Sequence, residues 1–166
     1  MSVLLEIAAV LIGSYLLGNL LGYVVHRLLH FKWMGRPYQD HYYHHVEVYP
    51  PDDYLSDEYR EPPAEASQAK YYVTAFALAC SPLLLWHWAY GLLALVMSLS
   101  ILKLNAYVHD SLHIRGHRWE KYRWFRHLRD VHYHHHVDVA TNFGIFSFFP
   151  DRLLRTYAGK PQESPR

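Results

Sequence analysis

A chain of 166 residues has the length of one ordinary domain, and 51% hydrophobic with 16% aromatic residues excludes a disordered polymer. Sixteen basic residues against 15 acidic ones leave a formal charge of +1, so no bulk field recruits nucleic acid or a strongly acidic partner. A single cysteine, Cys80, excludes an intrachain disulfide and a thiolate metal cluster.

The run from Val3 to Val25 carries Glu6 as its sole charge and exceeds the roughly 20 apolar residues that cross a hydrocarbon core, which predicts a transmembrane helix. No Lys or Arg precedes Arg27, so a cleaved signal peptide is not expected. From Phe31 to Lys70 the chain is rich in Pro, Tyr and acidic residues, and Pro50-Pro51 and Pro62-Pro63 would stop a helix, so an irregular wrapping loop is expected. Tyr71 to Leu102 is uncharged and would measure about 48 Å as one helix, too long for one crossing of about 30 Å. A helical hairpin is expected instead, with a turn near Trp88 to Gly91 and a return helix that borrows Lys103 to His113. Phe143 to Tyr157 mixes Phe, Ile and Leu with Arg152 and Arg155, which suits a segment lying in the membrane interface.

These elements predict an all-α integral membrane protein with about three transmembrane helices, one plus a hairpin, and a helical histidine cap. Residues 1–157 would form a single membrane-embedded domain and 158–166 a disordered tail. All 16 Lys and Arg residues lie from Arg27 onward, so the positive-inside rule puts the cap on the cytoplasmic face.

Histidine occurs 14 times and, apart from His87, is confined to 26–45 and 109–136. His26 and His30 are four residues apart, as are His109 and His113, which puts each pair on one helical face. His41, His44, His45 and, in the second half, His132, His135, His136 each follow the spacing i, i+3, i+4, three imidazoles to a turn. These four motifs hold enough nitrogens for two metals with about five each, where one zinc would need four. Imidazole suits iron, copper, zinc and nickel, so ligand type leaves the metal open. His87, His117, His127 and His134 are assigned ordinary surface or core roles. Asp40, Asp110, Asp130 and Asp138 are candidates to accept the outer N–H of a ligating imidazole, and Trp33, Tyr42, Tyr43 and Tyr133 to pack beside the ligands.

An intramembrane zinc protease would need His-Glu-x-x-His, whereas Arg27 and Asp110 stand at the second position of the two pairs. A pH-sensing cluster would not require the repeated spacing. A non-catalytic carrier would place polar ligands within its spans, where only His87 lies.

In their order around the apolar segments, the four motifs resemble the fatty acid hydroxylase and sterol desaturase superfamily of membrane di-iron oxygenases, over residues 20–157. Asn142-Phe143-Gly144, followed by Asp151-Arg152-Leu153 and Thr156-Tyr157, is similar to that family's closing pattern. The chain departs from it at Pro150, where Trp is usual, at Arg155, where Gly is frequent, and in lacking an additional amino-terminal helix.

The resemblance implies that His26, His30, His41, His44, His45, His109, His113, His132, His135 and His136 bind two iron ions, with zinc as a substitute in purified protein. It further implies that O2 and two electrons hydroxylate an unactivated C–H bond of a fatty acyl, sterol or carotenoid lipid. Desaturation by the same superfamily, or metal binding without catalysis, are the alternatives. No haem-binding or Gly-rich dinucleotide motif occurs, so a separate ferredoxin-like or cytochrome b5-like electron donor is implied. The implied location is the bacterial inner membrane or the endoplasmic reticulum.

Overall fold

The computed structural model describes residues 2–61 and 69–159. Among them the secondary structure is helical: α1 (Val3–Leu29), α2 (Arg36–Tyr43), α3 (Ala69–Trp86), α4 (Trp88–Leu112), α5 (Arg123–Val137) and α6 (Phe149–Leu153). Among the described residues the one β-type pairing is an isolated bridge between Ser56 and Ile114. Helices α1 and α4 are long and apolar enough to cross a bilayer, whereas α3 is apolar over the shorter Tyr71–Trp86.

The polar side chains within the long helices bond to their own backbone. Ser14 Oγ donates to Val10 O at 2.6 Å, Asn19 Nδ2 to Tyr15 O at 2.8 Å, Ser100 Oγ to Val96 O at 2.8 Å and Asn105 Nδ2 to Ile101 O at 3.0 Å. Each satisfies its donor one turn back, as an environment without water demands. In α3, Pro82 has no N–H to offer Leu78 O, and Ser81 Oγ takes that carbonyl at 2.8 Å.

The hairpin turns at His87 alone, one residue before the stretch expected from the sequence. The two helices approach so closely there that a Cβ on Gly91 would lie 2.4 Å from Leu84 Cα, so glycine is what permits the one-residue connection. At the same end, and unlike the four side chains bonded to their own helix backbone, Tyr90 OH donates across helices to Glu6 Oε2 at 2.5 Å, pinning α1 to the hairpin.

The loop after α1 is more ordered than its prolines suggested. Gly35, at φ 67°, opens α2, which has Pro37 in its first turn, and α2 continues as a π-turn over His44–Val48 closed by Tyr49 N–H on His44 O at 2.9 Å. Pro50 and Pro51 then end the helical path; Pro62 and Pro63 lie outside the described residues. Helix α5 buries Phe125, Leu128 and Val131 against Val108 and Leu112 of α4 and Phe148. The same stripe continues into His132, His135 and His136, so the packing that docks α5 also delivers its imidazoles.

Phe143 to Tyr157, the segment that the sequence suggests lies in the interface, buries Phe143, Phe148, Pro150 and Asp151 and leaves Phe146, Leu153 and Leu154 exposed. The reason is Asp151, whose carboxylate accepts Phe143 N–H at 2.7 Å, Gly144 N–H at 2.8 Å and Thr156 Oγ1–H at 2.9 Å. Of the tail expected to be disordered, Ala158 N–H bonds Asn142 Oδ1 at 2.9 Å and Gly159 O accepts from Asn142 Nδ2 at 3.2 Å; residues 160–166 lie outside the described residues.

Candidate metal centre

All ten motif histidines converge. Nitrogens of His26, His30, His41, His45 and His135 lie within 4.8 Å of one another, as do those of His44, His109, His113 and His132. His136 sits between the groups, its ring 4.1 Å from His45, 4.9 Å from His113 and His132, and 5.1 Å from His44.

The grouping crosses the motifs. His41 and His45, at i and i+4, join the pair on α1, while His44, at i+3, reaches the pair at the end of α4. In the second half His132 stays with the α4 pair and His135, at i+3, crosses to the α1 pair. A residue three positions on is rotated about 60° from the one at i and one four positions on about 40° to the other side, so the middle histidine of each triplet points toward the neighbouring group.

Hydrogen bonds on the outward nitrogens set the tautomers. Nδ1–H donates to Phe143 O from His26 (2.6 Å), to Thr141 O from His135 (2.6 Å), to Tyr49 O from His136 (2.8 Å) and to Tyr54 O from His113 (3.2 Å). In His44 it donates to Glu61 Oε2 (2.8 Å) and in His109 to Asp110 Oδ1 (3.2 Å). A carbonyl or carboxylate can only accept, so each of these rings carries its proton on Nδ1 and turns the lone pair of Nε2 inward.

The inward nitrogens are then left with more neighbours than protons. His41 Nε2 faces Nε2 of His26, His30 and His45 at 3.1, 3.0 and 3.1 Å, and a single ring nitrogen can make at most one of these as a hydrogen bond. His44 Nε2 and His136 Nε2 are likewise buried without a hydrogen-bond partner. A cation that accepts several lone pairs at once satisfies such a set, and nitrogens about 3 Å apart suit neighbouring ligands on metal–nitrogen bonds of about 2.1 Å. The donor set therefore fits metal ions.

Protonation is suppressed at several of these imidazoles. Burial, reinforced by neighbouring imidazoles, holds His41, His45, His113, His132 and His135 well below the usual histidine range, and His136 likewise. His30, half-buried, is lowered to about 4 by burial and by His44. Burial also lowers His44, with the Glu61 bond opposing it. Neutral imidazole is the form that ligates.

Surrounding segments brace the site. Buried Arg129 donates Nε–H to Leu112 O at 3.1 Å and Nη2–H to Ile114 O at 2.8 Å, capping the end of α4 that bears His109 and His113, and its Nη1 pairs with Glu120. Asn142 holds the left-handed conformation at φ 54°, and a Cβ on Gly144 would meet Ser147 O at 2.4 Å. Both residues shape the strap that presents Phe143 O to His26. Arg155 also lies at positive φ, 59°, which accounts for glycine at that place in the closing pattern.

Of the carboxylates expected beside the ligands, Asp110 meets His109, whereas Asp40 pairs with Arg36 and Asp138 accepts the Ala140 N–H. Trp33, Tyr42 and Tyr43 are exposed; Tyr133 packs on Tyr54 at 5.2 Å. Sequence reasoning passed over Glu61, Tyr54, whose buried ring lies 4.5 Å from that of His113, and Tyr49, stacked on His113 at 4.0 Å. No short-range spacing links Glu61 or Tyr54 to a motif, and Tyr49, four residues after His45, serves histidines of the other half of the chain. A cavity of about 890 Å³ runs between α1, α3 and α4, with His26, His41, His44 and His109 at one end and Gly18, Phe76 and Leu99 toward the other.

The model of a family described as fatty acid hydroxylase matches residues 11–156. No curated protein and no solved structure matches the chain.

Proposed function

Because the chain belongs to the fatty acid hydroxylase family, we propose that it is a membrane oxygenase whose ten motif histidines hold two iron ions and that hydroxylates an unactivated C–H bond of a lipid. The observation that carries this reading is the convergence of inward-facing imidazole nitrogens into two groups at one end of an apolar cavity. His26, His30, His41, His45 and His135 would hold one ion, and His44, His109, His113, His132 and His136 the other. Bound iron supplies the reduction of O2: one oxygen atom enters the C–H bond as hydroxyl, and the other leaves as water with two electrons and two protons from outside.

The protein's part is positioning and exclusion. The cavity admits an alkyl chain between α1, α3 and α4 and keeps water from the carbon presented to the histidines. Backbone carbonyls and carboxylates orient six of the ten imidazoles, those of His26, His44, His109, His113, His135 and His136, which preorganises much of the ligand set. With α1, α3 and α4 each crossing, the histidines would lie at the cytoplasmic face, where a ferredoxin-like or cytochrome b5-like donor can reach them; the Lys and Arg residues, all from Arg27 onward, support that orientation.

Metal content of the detergent-purified chain tests the reading. About two irons per chain, lost in His135→Ala, His136→Ala, is the expected result. One zinc or no metal, unchanged after anaerobic iron supply, overturns it. With reductant and a lipid substrate, product gaining one oxygen marks hydroxylation, and product losing two hydrogens marks desaturation.

A further inference from the structure

The charges of the cap are segregated. Between Arg115 and Arg126 the chain exposes Arg115, Arg118, Lys121, Arg123 and Arg126, and the one carboxylate in that stretch, Glu120, is taken by buried Arg129. The acidic residues lie elsewhere, concentrated between Glu47 and Glu61, with Arg115 paired to Asp57 at 3.0 Å where the two regions meet.

The basic stretch does not project away from the apolar helices. After leaving α4 at Leu112 it folds back along that helix: Arg118 Nη2–H donates to Tyr107 OH at 3.2 Å and the Trp119 ring packs on Tyr107 at 5.3 Å. Tyr107 lies five residues before the helix end, about 7.5 Å inside it. The strap does the same, with Phe146 N–H on Asn105 Oδ1 at 3.2 Å. Tyr157 OH, 3.5 Å from His127 Nε2, brings α6 against α5, and the exposed side chains of α6 include Leu153 at 69%. Exposed Tyr122 and Trp124, each 44% accessible, lie among the cations. Arginine and lysine interleaved with exposed aromatic and leucine side chains, level with the last two turns of an apolar helix, is the chemistry of a bilayer headgroup zone.

We infer that the Arg115–Arg126 stretch, together with α6, is a collar that binds the phosphate headgroups of anionic phospholipids in the bilayer around the enzyme. The collar rests on the reading of α1 and α4 as membrane spans and is independent of which metal the histidines hold. A water-soluble acidic protein would need the cations to face away from the membrane, and the contacts to Tyr107 and Asn105 turn this surface toward it.

The full chain would be reconstituted in vesicles of phosphatidylcholine with and without phosphatidylglycerol, and the lipid retained after detergent extraction measured by mass spectrometry. Wild type is expected to retain phosphatidylglycerol preferentially. The variant Arg118→Gln, Lys121→Gln, Arg123→Gln should lose that preference by roughly tenfold or more, since each cation near an anionic surface contributes about fivefold. Arg118→Lys, Arg123→Lys should keep the preference, which separates lost charge from lost fold, and unchanged helical circular dichroism in the Gln variant checks the fold directly. Inorganic phosphate at matched ionic strength should not compete. Equal retention of both lipids by wild type, full preference in the Gln variant, displacement by inorganic phosphate, or capture of soluble polyglutamate in place of phosphatidylglycerol would each overturn the collar. Should alkaline carbonate strip wild type and variant alike from the vesicles, the membrane spans themselves fail, a result distinguishable from loss of lipid preference in an inserted protein.

Discussion

Around His26, His30, His41, His45 and His135 the outward nitrogens with partners meet neutral backbone carbonyls, those of Phe143 and Thr141. Around His44, His109, His113 and His132 they meet carboxylates, Glu61 and Asp110, together with Tyr54 O. The first group thus depends on the strap after α5, a feature of backbone path. The second depends on two side-chain charges, of which Glu61 opposes the lowering of His44 by burial. The same ligand type is supported in two physically different ways, and the groups should fail differently.

The crossing of the motifs can be broken most severely by paired substitutions. His41→Ala, His44→Ala removes neighbours in sequence that serve different groups, and metal content should fall from about two ions to near none. His44→Ala, His109→Ala removes residues far apart in sequence that serve one group, and about one ion should remain. Equal loss in both variants, read by mass spectrometry, would refute the crossed arrangement.

Next in size is the strap. Asp151→Ala leaves the buried N–H groups of Phe143 and Gly144 without their acceptor, at about 1–3 kcal/mol each, so unfolding stability should drop by about 2–6 kcal/mol in denaturant titration. At partial metal loading, the ion of the first group should be the one weakened.

Glu61→Ala probes the other side of the comparison. It should weaken chelator resistance of one ion by roughly 10–100-fold and leave the other unchanged. If both ions weaken together, the two groups are not separately supported.

The smallest effect is on pH. In the metal-free protein His30 is lowered to about 4, so the folded state binds fewer protons than the unfolded chain, whose histidines titrate near 6.5. Stability is therefore complete above about 6.5 and declines as pH falls from there toward 4. Thermal midpoints measured between pH 7.5 and 4.5 should decrease on acidification, and metal loading, which keeps the imidazoles unprotonated in the folded state, should leave that decline at least as steep. A midpoint rising on acidification would contradict the neutral imidazoles.

Much of this was readable in one dimension. Apolar runs with at most one charge marked α1 and the hairpin, because length and hydropathy are local properties, and the i, i+4 histidine pairs were legible because helical periodicity puts them on one face. The closing pattern around Asn142 and Asp151 was visible as a motif, though its work as a carboxylate clasp was not. Glu61 lies 17 residues from His44, and the Tyr49 carbonyl that receives the His136 proton lies 87 residues away. No periodicity spans such distances.

From its sequence alone the chain determined which imidazoles share a helical face, which segments are too apolar for water, and that they alternate in two similar halves. Only the tertiary structure decided that His44 and His135 exchange partners, that α2 ends in a π-turn, and that one group leans on carbonyls and the other on carboxylates. Helical spacing follows from bonds between near neighbours, whereas the partner of each face is chosen by how separate helices pack and by which buried donors must find acceptors.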